Sequence, residues 1–162
     1  MAAANFLPPA VLARRLARTR RGRAVVFTNG CFDLFHAGHL KVLNFAKRHG
    51  KILVVALNSD ASTRRLKGPG RPILPLRDRA ELVSALRPVD YVTFFDEDTP
   101  RSLIQRLKPE VLVKGGDWAA HAIVGHEYVK KVVRVPLLKG RSTSGIIKTI
   151  VSRYGRAAAG KK

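Results

Sequence analysis

Short apolar runs alternating with amphipathic stretches set the rhythm of this chain. Val25, Val26 and Phe27 lie in a run, Ala24 to Gly30, that suits a strand buried on both faces. Leu40, Leu43 and Ala46 then fall on one helical stripe, Lys41, Lys47 and Arg48 face away, and Gly50 stands where a helix end favours a left-handed residue. Before this unit, Pro8 to Arg20 predicts a basic helix with Val11, Leu12 and Leu16 on one side, able to pack on the sheet or on a second subunit. After it, Lys51 to Asp60 is a second buried strand whose polar end, Asn58, Ser59 and Asp60, sits where α/β proteins place ligand groups. Residues 61–75 are rich in Gly, Pro and base without an apolar period, which predicts a mobile loop carrying Arg64, Arg65, Lys67 and Arg71.

The alternation continues to the end. A helix is predicted from Leu76 to Leu86 with Leu82, Val83 and Leu86 inward, and Arg77 and Arg79 in its first turn as ordinary surface residues; Pro88 ends it. A third strand, 89–95, leads to a charged turn in which Thr99 caps and Pro100 opens a helix stopped by Pro109. A fourth strand runs into Gly115, Gly116, Asp117 and Trp118; a short helix over 121–131 and a fifth strand, 132–138, follow. Ser142, Thr143 and Ser144 then precede a helix patterned by Ile146, Ile147, Ile150 and Val151. Five strands in βα alternation imply a parallel sheet with right-handed crossovers, its ligand groups gathered at the carboxyl ends of the strands.

Composition bounds the class. The 162 residues are enough for one domain with a proper core, 46% hydrophobic and 26% charged. The longest apolar run, Ile52 to Leu57, is far too short for a membrane span, the N-terminus lacks a signal-like apolar core, and one cysteine allows no intrachain disulfide. A soluble, cytoplasmic protein with no membrane partner is expected. The net charge of +20 raises the question of nucleic acid. Six arginines between 14 and 23 and four basic residues from Arg153 onward account for half of it, leaving about +10 elsewhere. The basic stretches 14–23 and 153–162 contain one aromatic, Tyr154, whereas nucleic-acid binders interleave aromatics with base. Nucleic-acid binding is the lesser reading.

The chemistry concentrates in the first strand-to-helix turn. His36 and His39 are three apart, so once helical geometry begins near Ala37 they project to one side, beside the amides of a helix start. Gly38 between them lets a ligand approach the backbone. Imidazoles, amides and the positive helix end fit an anion such as phosphate. Ordinary loop polarity is the competing reading, and a metal site is weaker, with one cysteine, Cys31, and no third ligand at a suitable spacing beyond Asp33. Neither a P-loop nor a GxGxxG is present. Three successive hydroxyls at 142–144 beside Arg141 predict a second anion-binding helix start.

These residues carry a resemblance. TNGCFDLFHAGH resembles the HxGH signature of the cytidylyltransferase-like nucleotidyltransferases, and RSTSGIIK resembles their second signature, with Lys148 at its basic position. NSDASTRRLKGPGRPI, FDEDTP, VLVKGGDW and GRST together are similar to the heptose 1-phosphate adenylyltransferases within that group. The resemblance spans Arg23 to Arg153. It implies a Rossmann-like, doubly wound α/β sheet over residues 23–154, between a basic N-terminal segment (1–22) and a basic tail (155–162). It also implies adenylyl transfer from ATP, carrying Mg²⁺, to a sugar 1-phosphate, with cytidylyl or guanylyl transfer to glycerol 3-phosphate or another sugar phosphate as the alternative. By family position His36 and His39 meet the ATP phosphates and Lys67 and Arg79 are further phosphate contacts. Gly30, Cys31, Phe32, Asp33, Leu34 and Gly38 lie along the α-phosphate. Ser142, Thr143 and Ser144, with Arg141, grip the outer phosphates. Lys114, Gly115, Gly116, Asp117 and Trp118 form the nucleotide-side loop. A homo-oligomer and a heptose kinase on a separate protein are the partners it implies.

Overall fold

The structure, a computed structural model, describes residues 4–116, 119–138 and 140–158. Five strands, β1 (Val25–Gly30), β2 (Ile52–Asn58), β3 (Tyr91–Phe95), β4 (Val111–Gly115) and β5 (Lys131–Val135), form one parallel sheet in the order β3-β2-β1-β4-β5. β2 is buried along its whole length, as an unbroken apolar run requires. Side chains alternate between two cores. Val26, Leu53 and Val55 meet α2 (Ala37–Lys47) and α4 (Leu76–Ser84), whereas Val25, Phe27 and Val54 meet α1 (Pro9–Thr19) and α5 (Arg101–Leu107). With helices on both faces the fold is the expected doubly wound α/β sheet. The order in which strands are added switches sides between β1 and β4, and the crevice beyond their carboxyl ends is where such folds bind ligands.

The N-terminal segment is part of this body. Leu12 and Leu16 of α1 are buried in the core shared with α5, and Phe6 bridges Val92 at the sheet edge. The apolar side of α1 is therefore covered within the chain rather than left for a second subunit. At the other end α6 (Thr143–Ala158) runs through residue 155 without a break, so no boundary separates domain from tail there.

Several local expectations are corrected. The stretch placed in a loop begins with a helix, α3 (Asp60–Lys67): Ser59 caps it by accepting from the Ser62 amide at 3.0 Å, and Arg64, Arg65 and Lys67 complement its carboxyl end. Its buried face is Ser62 and Thr63, bonded to the carbonyls of Glu97 and Asn58, so no apolar period marks it. Leu40 and Leu82 are exposed, and α4 turns Arg79, Ala80 and Val83 inward instead. Gly50 does not adopt a left-handed conformation; a Cβ there would lie 2.6 Å from the Ala24 carbonyl oxygen, so it permits a close backbone approach. Thr99 does not cap α5, whose N-cap position is Pro100. The helix expected over 121–131 is two separate 3₁₀ turns, Ala120–Ala122 and His126–Tyr128.

Candidate active site

β1 ends in a turn that the sequence forces into an unusual shape. Phe32 takes a left-handed backbone (φ 47°) and folds its ring over Gly30, where a Cβ would sit 3.1 Å from the ring. Phe32 and Phe35 then flank the His39 ring at centroid distances of 4.9 and 5.4 Å. His36 stacks on the other side, its centroid 3.8 Å from that of His39 and the planes 18° apart. The pair therefore faces one way, as their spacing predicts.

Two details differ from expectation. The His36 ring caps its own helix: Nδ1 accepts from the Gly38 amide at 3.1 Å, which leaves the proton of the neutral ring on Nε2. Gly38 is needed for this ring, since a Cβ there would lie 2.9 Å from it; the space foreseen for a ligand holds an imidazole. The His39 amide is also taken, by the His36 carbonyl at 2.9 Å, so the rings rather than these two amides are left for an anion. His39 Nδ1 is buried without a partner among the described residues. Burial, reinforced by His36, pushes the His39 pKa down to about 4, and burial lowers that of His36 as well. The pair is neutral at pH 7, and a polyanion beside it would favour protonation.

The start of α6 meets this turn. Thr143 Oγ1 donates to the Leu34 carbonyl at 3.4 Å, and Ser142 caps the helix by accepting from the Gly145 amide at 3.0 Å. Ser144 and Arg141 remain exposed. Together the two helix starts enclose a cleft of about 390 Å³ whose walls include Gly30, Cys31, Phe32, Asp33, His36, Gly38, His39, Lys67, Lys114, Gly115, Arg141, Ser142, Thr143 and Ser144. Most of the expected site residues thus converge. Thr28, Asn29, Val42, Arg71, Leu137 and Leu138 complete the lining. Of these, Thr28 and Asn29 were identifiable from their place at the polar end of an apolar strand; Leu137 and Leu138, at the end of the predicted fifth strand, gave no such signal.

Asp33, in the cleft wall, is buried, and its carboxylate is taken up by the segment that follows α3. Burial alone would raise its pKa, but the Leu74 and Ile73 amides, at 2.9 and 2.8 Å, and the Arg71 guanidinium hold it below the usual carboxylate value. It clasps the strap of residues 68–75 to the turn and sets Arg71 at the cleft. Lys114 donates to Asn29 Oδ1 at 3.2 Å; burial, with Lys67 nearby, lowers its pKa.

Three expected site residues, Leu34, Arg79 and Gly116, are not in the lining; Leu34 meets the start of α6 only through its carbonyl. Arg79 is fully buried: it donates to the carbonyls of Leu74, Cys31 and Asn58 at 3.0, 2.6 and 2.9 Å and to Asp60 Oδ1 at 2.6 Å, so it braces the turn and does not line the cleft. Gly116 is buried, with its amide donating to the Val135 carbonyl at 3.0 Å. Asp117 and Trp118 lie outside the described residues. No group of three His, Cys, Asp or Glu able to hold a metal ion occurs among the described residues, and Asp33 is already committed, so the side chains present do not fit a protein-held divalent cation.

Comparison with known proteins agrees with the geometry. A family model described as cytidylyltransferase-like matches residues 27–153. The bifunctional protein HldE of Syntrophotalea carbinolica is 53% identical over 139 residues, 83% of this chain and 28% of that protein. HldE of Wolinella succinogenes is 55% identical over 130 residues, 80% of this chain and 27% of its own length. The chain thus spans little more than a quarter of these relatives. Among solved structures, a lipopolysaccharide core biosynthesis protein from Thermoplasma volcanium superposes with a TM-score of 0.63 at 27% identity, covering 73% of this chain and 100% of that one. Pantoate-beta-alanine ligase from Francisella tularensis, at 14% identity and a TM-score of 0.62 over 94% of this chain and 76% of its own, shares the fold.

Proposed function

The chain belongs to the cytidylyltransferase-like family of nucleotidyltransferases, and from that membership we propose that it transfers AMP from ATP to D-glycero-β-D-manno-heptose 1-phosphate, giving ADP-heptose and pyrophosphate. The similarity to HldE proteins and to a lipopolysaccharide core biosynthesis protein supports the heptose acceptor. One observation carries the reaction class: a stacked, neutral imidazole pair held between two helix starts at the reversal point of a parallel sheet.

The chemistry follows from that arrangement. An oxygen of the sugar phosphate attacks the α-phosphorus, a P–O bond forms, and the bond to the bridging oxygen breaks with its electron pair leaving on pyrophosphate. The attacking oxygen is already ionised, so no general base is required; positioning and charge stabilisation carry the rate. His36 donates from Nε2 and His39 stands behind it, meeting the charge that grows on the phosphoryl oxygens. Ser142, Thr143 and Ser144, with Arg141, receive the departing phosphates. Gly115, Val42 and Leu137 line the nucleoside end; a Cβ on Gly115 would lie 3.2 Å from Leu137. Mg²⁺ would come as the counter-ion of the ATP substrate and would neutralise charge on its phosphates.

The reading is tested by measuring pyrophosphate release from each nucleoside triphosphate with heptose 1-phosphate, glycerol 3-phosphate and phosphocholine. ATP with heptose 1-phosphate is expected to give the highest kcat/KM. Preference for CTP or GTP with glycerol 3-phosphate would move the assignment to that branch of the family. Absence of release, with tight, steeply salt-dependent binding of RNA or DNA, would overturn it.

A further inference from the structure

The last helix stands apart from the body. Thr143 ties α6 to the Leu34 carbonyl, and none of its residues belongs to either core. Its sixteen residues reach about 24 Å. At the α-helical repeat, Ile146, Ile147, Ile150, Val151 and Tyr154 fall within an arc of about 140°, flanked on its two sides by Lys148 and Arg153. Ile146 and Ile147 are half-buried, but Ile150, Val151 and Tyr154 are 50%, 62% and 64% exposed. So open an apolar stripe marks a surface that a partner covers.

Charge selects the partner. Glu127 is the last acidic residue of the chain, and ten lysines and arginines follow it. A second α6 laid on the stripe would set base against base, and a nucleic acid would meet the base but leave the stripe in water. An anionic bilayer answers both features: acyl chains take the isoleucine, valine and tyrosine face, and lipid phosphates take the flanking cations. Tyr154 suits that boundary, with an apolar ring and a polar hydroxyl. On α1 half of this signature is missing, because Arg14, Arg15 and Arg18 are exposed but Leu12 and Leu16 are buried in the core. No helix among the described residues is long and apolar enough to cross a membrane. Short apolar runs argue against spanning only; a helix lying in the interface needs no long run.

We propose that α6 is an interfacial helix that binds the chain to anionic phospholipid bilayers, its stripe from Ile146 to Tyr154 among the acyl chains and Lys148 and Arg153 at the headgroups. Thr143 and Ser144, at the start of the same helix, line the cleft, so binding sets the cleft beside the membrane. Membrane binding of this kind does not depend on which reaction the cleft performs.

Flotation of the full chain with vesicles of phosphatidylcholine, and of phosphatidylcholine mixed with phosphatidylglycerol, is the test. The chain is expected to float with the anionic vesicles and not with the neutral ones, and less as salt rises. The double variant Ile150→Asp, Val151→Asp, at two exposed positions outside the cores, should lower the partition coefficient roughly tenfold or more with the melting temperature unchanged. Arg153→Gln should lower it about fivefold. Replacing Arg14, Arg15 and Arg18 together by Gln should change it less than Arg153→Gln alone does. Tyr154→Asp repeats the test should the double variant fold poorly. Failure to float with anionic vesicles, equal flotation with neutral ones, or flotation that survives the α6 substitutions overturns the proposal. So does a dimer that the same substitutions dissociate in light scattering, or binding of RNA in place of vesicles.

Discussion

Two strand-to-helix junctions lie side by side at the carboxyl edge of the sheet and use polar residues in opposite ways. After β2, every main polar group is consumed by a neighbour: Asn58 donates to Ser62, Ser62 to the Glu97 carbonyl, Ser59 to Asp96, and Arg79 spans Asp60 and three carbonyls. After β1, two imidazoles stand against one another, one with a buried nitrogen that has no partner among the described residues. The first is a closed knot that fixes backbone. The second holds unspent hydrogen-bonding capacity in a desolvated place, which costs stability and is retained where a ligand completes it.

Breaking the knot should cost the most. Arg79→Met leaves three carbonyls without their donor, each worth about 1–3 kcal/mol where buried, whereas the partly exposed Asp60 is resolvated by water. Chemical denaturation should show that loss, with activity falling only as the folded fraction falls. His39→Ala should do the reverse. Turnover in a pyrophosphate-release assay is expected to drop by about 10²–10³-fold, the usual cost of one stabilising donor, while the melting temperature stays the same or rises. If the two variants exchanged phenotypes, the contrast between the junctions would be wrong.

Acid sharpens the same contrast at a smaller scale. His39 titrates near 4 in the folded chain against an ordinary 6.5, so the unfolded chain takes up a proton that the native chain refuses. Stability is unaffected by this group above pH 6.5, declines as the pH falls from 6.5 to about 4, and levels off below. The loss is on the order of 3 kcal/mol at most. Thermal melts across that range should show the slope in the parent and a shallower one in His39→Ala.

The sequence revealed these junctions unequally. Apolar runs such as Ile52–Leu57 announce their strands because burial on both faces leaves no other composition available. The β1 turn was legible because its histidines, three apart before a clear helical stripe, have one geometric outcome. The β2 junction was not, since α3 buries hydroxyls and α4 buries an arginine; periodicity counts hydrophobes, and here the inward face is polar and satisfied. The same blindness put Arg79 on the surface and Leu82 in the core. Lys114 was visible as a residue near the nucleotide loop, but its place in the cleft wall beside Asn29 depends on how β1 and β4 sit side by side, which no local pattern encodes.

The Asp33 clasp has a practical corollary. A single carboxylate fastens a surface ribbon to the turn after β1, which ties a place chemists can reach to the candidate site. Gly70 lies on that ribbon, and a side chain built there would meet nothing within 4 Å. A fluorophore attached at that point is expected to report whether the fastening is made, with Asp33→Asn as the comparison.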